Sequence, residues 1–186
     1  MKPLGAILAG GRSSRFGSDK ALALLAGEPL LAHAARAIRP HVSGIIVCGR
    51  VEAADGLPSV ADRPRPDLGP LGGLCGALHH AAIHGHDRVL TIGCDMPVVP
   101  SALMEELIAA GRPAYVADAP ILGIWPSTLA ATLEDHLAGE EDRSLRRWAA
   151  RVEAIGIKPV FKLANVNRPA DLARLAAAPG NGSHIL

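Results

Sequence analysis

Charge of one sign is scarce in this sequence. Lys and Arg number 19 against 18 Asp and Glu, which leaves a formal net charge of +1. That balance excludes bulk attraction to nucleic acid or acidic membranes, so a localised site must carry any function. Cysteine is scarce too: only Cys48, Cys75 and Cys94 are present, an odd count with no C-x-x-C. Such usage argues against a disulfide framework or a structural zinc site and fits a reducing cytosol. No apolar run approaches the roughly 20 residues of a membrane span. The start, M-K-P-L-G-A-I-L-A-G-G, has too short an apolar part for a signal peptide and reads better as a buried first strand. Aromatic residues make up only 3% of the chain, although 49% of it is apolar. The apolar mass is Ala, Leu, Val and Ile, which suits an α/β protein. A length of 186 residues suits one domain, expected over 1–178 with a flexible tail at 179–186.

Several catalytic motifs are also missing. There is no G-x-S-x-G, no H-E-x-x-H and no Cys–His arrangement. Neither the P-loop nor the G-x-G-x-x-G fingerprint is present. A reaction whose nucleophile is already an anion needs no such motif. A phosphate monoester, with a second pKa of about 6, is one such nucleophile.

What is present alternates between strand-like and helix-like stretches. Strands are expected at Leu4–Leu8, Gly44–Cys48, Ser59–Ala61, Arg88–Ile92 and Pro159–Lys162. A short hairpin is expected at Ala114–Ala117 and Ile121–Trp125, around Asp118. Helices are expected at Pro29–Ile38, Gly72–His84, from Ser101 as a cap, and at Ser127–Leu137, Ser144–Val152 and Pro169–Ala177. The alternation predicts a three-layer α/β fold: a mostly parallel sheet with helices on both faces. Ligands of such sheets sit at the carboxyl ends of the strands. Three polar clusters fall there: L-A-G-G-R-S-S-R-F-G-S-D-K after the first strand, Asp62 after the third, and G-C-D-M-P after R-V-L-T-I.

Gly10 and Gly11 suit a sharp turn and a close approach to an anion, and Arg12, Arg15 and Lys20 add fixed positive charge. Asp95 follows a buried strand, where a carboxylate is costly unless compensated. Mg²⁺ would compensate it, being content with one or two carboxylates plus phosphate oxygens. Each feature has a plainer reading: a solvated loop, or a turn-capping aspartate. Asp62 reads equally well as a turn residue, and G-P-L-G-G (69–73) as a turn that only permits packing. His79, His80, His84 and His86 lack an acidic partner between them and read as a solvated helix end. Taken together, the cationic glycine loop and Asp95 suggest a metal–triphosphate site.

Four stretches together resemble a known family: L-A-G-G-x-S-x-R-F-G-x-D-K, G-P-L-G-G-L, C-D-M-P-x-x-P and N-V-N-R-P-A-D-L. In this order they resemble the molybdenum cofactor guanylyltransferases of the nucleoside triphosphate transferase superfamily, over nearly the whole chain. The resemblance implies a Rossmann-like nucleotidyltransferase fold and a cytoplasmic enzyme using GTP and Mg²⁺. The terminal phosphate of molybdopterin would attack the α-phosphate of GTP, releasing pyrophosphate and giving molybdopterin guanine dinucleotide. It implies that Leu8, Ala9, Gly10 and Gly11 hold the nucleotide, with Asp62 a further nucleotide contact. Arg15 and Lys20 would hold its phosphates, Asp95 the magnesium, and Asn165 and Asn167 would lie towards the molybdopterin. Recipient molybdoenzymes and their chaperones are the implied partners.

The chain departs from the family twice. Cys48 stands where an asparagine often touches the nucleotide, and Ala119-Pro120 where His-Pro is common. Two alternatives stay open: a molybdopterin cytidylyltransferase using CTP, whose group usually has L-A-A-G for L-A-G-G, and a non-catalytic module that delivers cofactor.

Overall fold

The computed structural model describes residues 1–10, 20–49, 56–139, 143–160, 163, 166 and 170–172. Seven strands form one sheet: β1 (Leu4–Leu8), β4 (Gly44–Cys48), β5 (Ser59–Val60), β6 (Arg88–Gly93), β7 (Ala114–Val116), β8 (Ala119–Pro126) and β9 (Ile155–Ile157). Their order is β5-β4-β1-β6-β8-β7-β9. β8 runs antiparallel to β6 and β7, and the other pairings are parallel, so the sheet is mostly parallel as expected. A separate two-residue ribbon, β2 (Leu24–Leu25) with β3 (Glu28–Pro29), was not foreseen. It turns at Ala26 and Gly27, both with positive φ. The signal there is only an A-G pair, weaker than the N-G or D-G that marks such hairpins.

Each central strand serves two cores because its side chains alternate between faces. Ile7, Ile45, Val47, Leu90 and Ile92 point into one core with α1 (Leu30–Ile38) and α3 (Ser101–Ala109). Leu4, Ala6, Leu8, Ile46, Cys48 and Val89 point into the other with α2 (Gly69–Ile83), α4 (Ala130–Gly139) and α5 (Leu145–Arg151). Three layers result. The buried polar groups between sheet neighbours are satisfied in series. Trp125 Nε1 donates to Thr91 Oγ1 at 3.2 Å, and Thr91 Oγ1 donates to the Gly123 carbonyl at 3.2 Å.

Some boundaries differ from the expectations. α2 begins at Gly69, so G-P-L-G-G is its first turn rather than a turn ahead of it. Ser101 is the first residue of α3, preceded by Pro100, and its hydroxyl donates to Glu105 instead of capping. Ser144 does cap α5, accepting from the Arg147 N–H at 3.2 Å. The last strand lies at Ile155–Ile157, not Pro159–Lys162. The Ile155 N–H reaches the Pro113 carbonyl and the Ala117 N–H reaches that of Ile157, whereas Pro159 has no N–H to offer a ladder. Residues 161 and 162, and most of the expected last helix, lie outside the described residues; Ala170–Leu172 is helical. No described helix is long and apolar enough to cross a membrane.

Candidate active site

The carboxyl ends of β1, β4 and β6 lie side by side. Leu8 pairs with Cys48 on one flank and Gly93 on the other. The chain goes from β1 through α1 to β4, continues outward to β5, then returns through α2 to β6 on the other side of β1. The strand order therefore reverses at β1, and a crevice opens at such a switch point beyond the strand ends. Backbone bonds tie the three exits together. The Ala9 N–H donates to the Cys48 carbonyl at 2.9 Å, and the Cys94 N–H to that of Leu8 at 3.4 Å.

Gly10 and Gly49 cross here with almost no space between them. A Cβ on Gly10 would lie 2.9 Å from the Gly49 Cα, and Gly49 itself has φ +82°. The crossing alone explains a glycine at each position. Gly49→Ala should cost about 2 kcal/mol or more, from left-handed strain and overpacking together. A urea melt checks this, and an unchanged midpoint would refute the backbone contact. Gly11 and Arg15 lie outside the described residues.

The site's charges meet next to this crossing. Lys20 Nζ lies 3.0 Å from Asp95 Oδ2, across 75 residues of sequence. Their side chains are 17% and 21% exposed, so the pair is largely shielded yet reachable from solvent. Lys20 opens a 3₁₀ turn (Lys20–Leu22) anchored by buried Ala21. Asp95 sits in the turn after β6, where the Met96 N–H donates to the Gly93 carbonyl at 3.2 Å. A Cβ on Gly93 would strike Asp95 Oδ1, so Gly93 leaves room for the carboxylate to fold back over the strand end. On its far side the Asp95 carbonyl accepts the Val166 N–H at 2.9 Å.

Asp62 stands on the α2 side of the same strand ends. Gly73 joins the parts: a Cβ there would sit 3.2 Å from Cys48 Cβ, 3.3 Å from Leu8 Cδ2 and 3.6 Å from Asp62 Oδ1. At Gly72 it would lie 3.1 Å from Asp62 Oδ2. The glycines of G-P-L-G-G thus seat the Asp62 carboxylate against the start of α2, where the helix dipole favours it. Asp62 Oδ1 is buried without a hydrogen-bond partner. Burial pushes its carboxyl up, the Leu68 N–H pulls it down, and the charge of Asp67 raises it again. The loop holding Asp62 is clamped from α4. Arg63 Nη2 lies 3.1 Å from Glu134 Oε1, and His79 Nε2 lies 3.0 Å from Glu134 Oε2. Nothing local in the sequence signals that clamp.

Cys48 is fully buried, and its thiol is pushed up to about 12 by burial and then by the Asp62 charge. Its side chain offers no contact to a base where the family often has asparagine; its carbonyl already accepts from Ala9. All three cysteines are buried, and none is in a disulfide. Of the histidines read as a solvated helix end, His80 and His84 stack at 4.0 Å, and burial together with its neighbours' charge lowers the His80 pKa, whereas His79 lies against Glu134. Among the described residues no group of three or more metal-ligating side chains forms. A lone carboxylate fits a hard cation that draws its remaining ligands from water and phosphate, and does not fit zinc. Asn165 and Asn167 lie outside the described residues. Val166 between them is buried against Leu25 and Leu30. Its only sequence signal was an apolar residue flanked by two polar ones.

The fold and this site define a nucleotidyltransferase. Residues 5–155 match the family model described as MobA-like NTP transferase domain. A molybdenum cofactor guanylyltransferase of Rhizobium leguminosarum bv. trifolii (strain WSM2304) is 36% identical, over 91% of this chain and 89% of that protein. Two solved structures share the fold. One is molybdopterin-guanine dinucleotide biosynthesis protein A from Archaeoglobus fulgidus, with TM-score 0.74, 22% identity and coverage of 92% of this chain and 95% of that one. The other is Rv0371C of Mycobacterium tuberculosis H37Rv in complex with manganese, with TM-score 0.63, 18% identity and coverage of 95% and 98%. The chain belongs to the MobA-like NTP transferase family.

Proposed function

We propose that this enzyme transfers GMP from GTP to the terminal phosphate of molybdopterin, forming molybdopterin guanine dinucleotide and pyrophosphate. The Lys20–Asp95 pair at the switch point carries the reading, because it sets a cationic and an anionic anchor within one ligand's reach. A terminal phosphate oxygen of molybdopterin bonds to the α-phosphorus of GTP. The bond from that phosphorus to the oxygen bridging to the β-phosphate breaks, and that oxygen leaves with pyrophosphate. The nucleophile is already anionic, so no general base is required. Lys20, with Arg15, holds the β- and γ-phosphates and offsets the charge that grows on the departing pyrophosphate. Asp95 would hold Mg²⁺, which supplies charge neutralisation at the triphosphate. The manganese complex of the Rv0371C structure supports a divalent ion in this fold.

Leu8, Ala9, Gly10 and Gly11 are assigned to the nucleoside on motif, and Asp62 as a further nucleotide contact. Asn165 and Asn167 are assigned to the molybdopterin side on motif alone, and the product passes to recipient molybdoenzymes and their chaperones. Guanine rests on the relatives' activity and on the resemblance of the L-A-G-G motif, since the Gly49 crossing already accounts for Gly10. GTP and CTP, each offered with molybdopterin and Mg²⁺, test the reading through pyrophosphate release. Release from GTP is expected. Release from CTP alone would replace guanine by cytosine, and tight GTP binding without turnover would leave a delivery module.

A further inference from the structure

We propose that Val166 is a positioning residue for the Lys20–Asp95 pair, holding the two halves of the site at their working separation from outside the family-matched domain. This deepens the reading above and rests on it. Val166 meets both halves. Its N–H donates to the Asp95 carbonyl at 2.9 Å, which fixes the main chain that carries the carboxylate. Its side chain is fully buried with Leu25 and Leu30, and Ala23 and Leu172 pack against that cluster. Leu25, Leu30 and Ala23 belong to the stretch that follows Lys20. The Ala23 N–H donates to the Lys20 carbonyl at 3.2 Å, and the Leu30 N–H to that of Ala23 at 2.9 Å. Val166 therefore wedges between the Asp95 turn and the element that carries Lys20.

Neither half is bound to the other by a sheet ladder. Lys20 lies in a 3₁₀ turn and Asp95 in the loop after β6. Ala21 beside Lys20 and Cys94 and Met96 beside Asp95 share a main core cluster, and the ion pair, being partly exposed, adds only a weak constraint. Val166 supplies both an apolar plug and a main-chain bond. It does so from beyond residue 155, where the family match ends. Its cluster is separate from the two main cores, so this tie is additional to the one that runs through Ala21.

The test compares Val166→Ala, Val166→Thr and Val116→Ala with the full-length wild type. Val116 is equally buried, in β7, and belongs to the main core. Three quantities are read: the melting temperature, the Mn²⁺ concentration for half-saturation of the GTP complex by calorimetry, and kcat. Val166→Ala should raise the Mn²⁺ midpoint and lower kcat, each by about 10-fold, as for other residues that orient a metal ligand. Val116→Ala should lower the melting temperature and leave both other values at wild type. Val166→Thr keeps the shape of valine, so it should keep the wild-type Mn²⁺ midpoint even though its buried hydroxyl lowers stability. The proposal is overturned if Val166→Ala changes the melting temperature alone, or if Val166→Thr shifts the Mn²⁺ midpoint as far as Val166→Ala does. A wild type whose GTP binding ignores Mn²⁺ would sink the functional reading itself, and this inference with it.

Discussion

Asp95→Asn should cut pyrophosphate release from GTP by about 10²- to 10³-fold, the size of effect seen when one preorganised electrostatic group is removed from an active site. The substitution keeps volume and shape and removes only charge. Gly93 still leaves room for the side chain, and the carbonyl that accepts from Val166 is untouched. Asparagine can still accept a hydrogen bond from Lys20 through its amide oxygen. The lysine side chain is 17% exposed, so the pair is reachable by water, and the stability cost should stay within about 1 kcal/mol, as for solvent-accessible pairs. A large activity loss with a nearly unchanged melt is therefore the signature. Raising Mg²⁺ should recover little rate, because the lost group is a ligand rather than a source of overall charge. Pyrophosphate release at the wild-type rate would remove Asp95 from the metal site.

The framework of the site was legible because strand signals are local. L-G-A-I-L, G-I-I-V-C and R-V-L-T-I each gave a strand within a residue of its observed ends, and the polar residues after them fall where a parallel sheet puts its ligands. The reasons for individual glycines were not legible. Gly10 looked like a place for a ligand to approach, yet its close neighbour is Gly49, just past the end of β4 and about forty residues later. Gly72 and Gly73 looked like a turn, yet they make space for Asp62 and Cys48. A glycine shows that something comes close and does not show what. The last strand was misplaced for a related reason. Its partner is β7, and edge pairing to a short strand leaves almost no periodic pattern in I-G-I. Val166 was invisible as a functional residue because its contribution is one main-chain bond and a packing contact, and neither has a residue-type signature.

Lys20→Met should move two affinities in opposite directions. Each Asp95 oxygen already has a neighbour within the protein: Oδ2 has the Lys20 ammonium at 3.0 Å, and Oδ1 is folded over Gly93. A divalent ion arriving alone must therefore approach a carboxylate that already has a cation beside it. Two unit charges about 4 Å apart interact by about 4 kcal/mol at an effective dielectric of about 20, so even a third of that repulsion weakens binding about tenfold. Methionine keeps the length of the lysine stem and removes the ammonium. Bare Mn²⁺, measured by calorimetry or electron spin resonance near pH 7.5, should bind Lys20→Met about tenfold tighter than wild type, by that same removal of repulsion. GTP should bind more weakly and turn over about 10²-fold more slowly, because a charge-assisted contact to the phosphates is gone. In the wild type the two ligands then help each other. A triphosphate that draws Lys20 away frees Oδ2 for the metal, and the bound metal in turn favours the triphosphate by the same factor, as linkage requires. Weaker or unchanged bare-metal binding in Lys20→Met would show that the lysine does not compete for Asp95. A drop in GTP affinity alone would then reduce Lys20 to a phosphate contact and leave metal and nucleotide to bind independently.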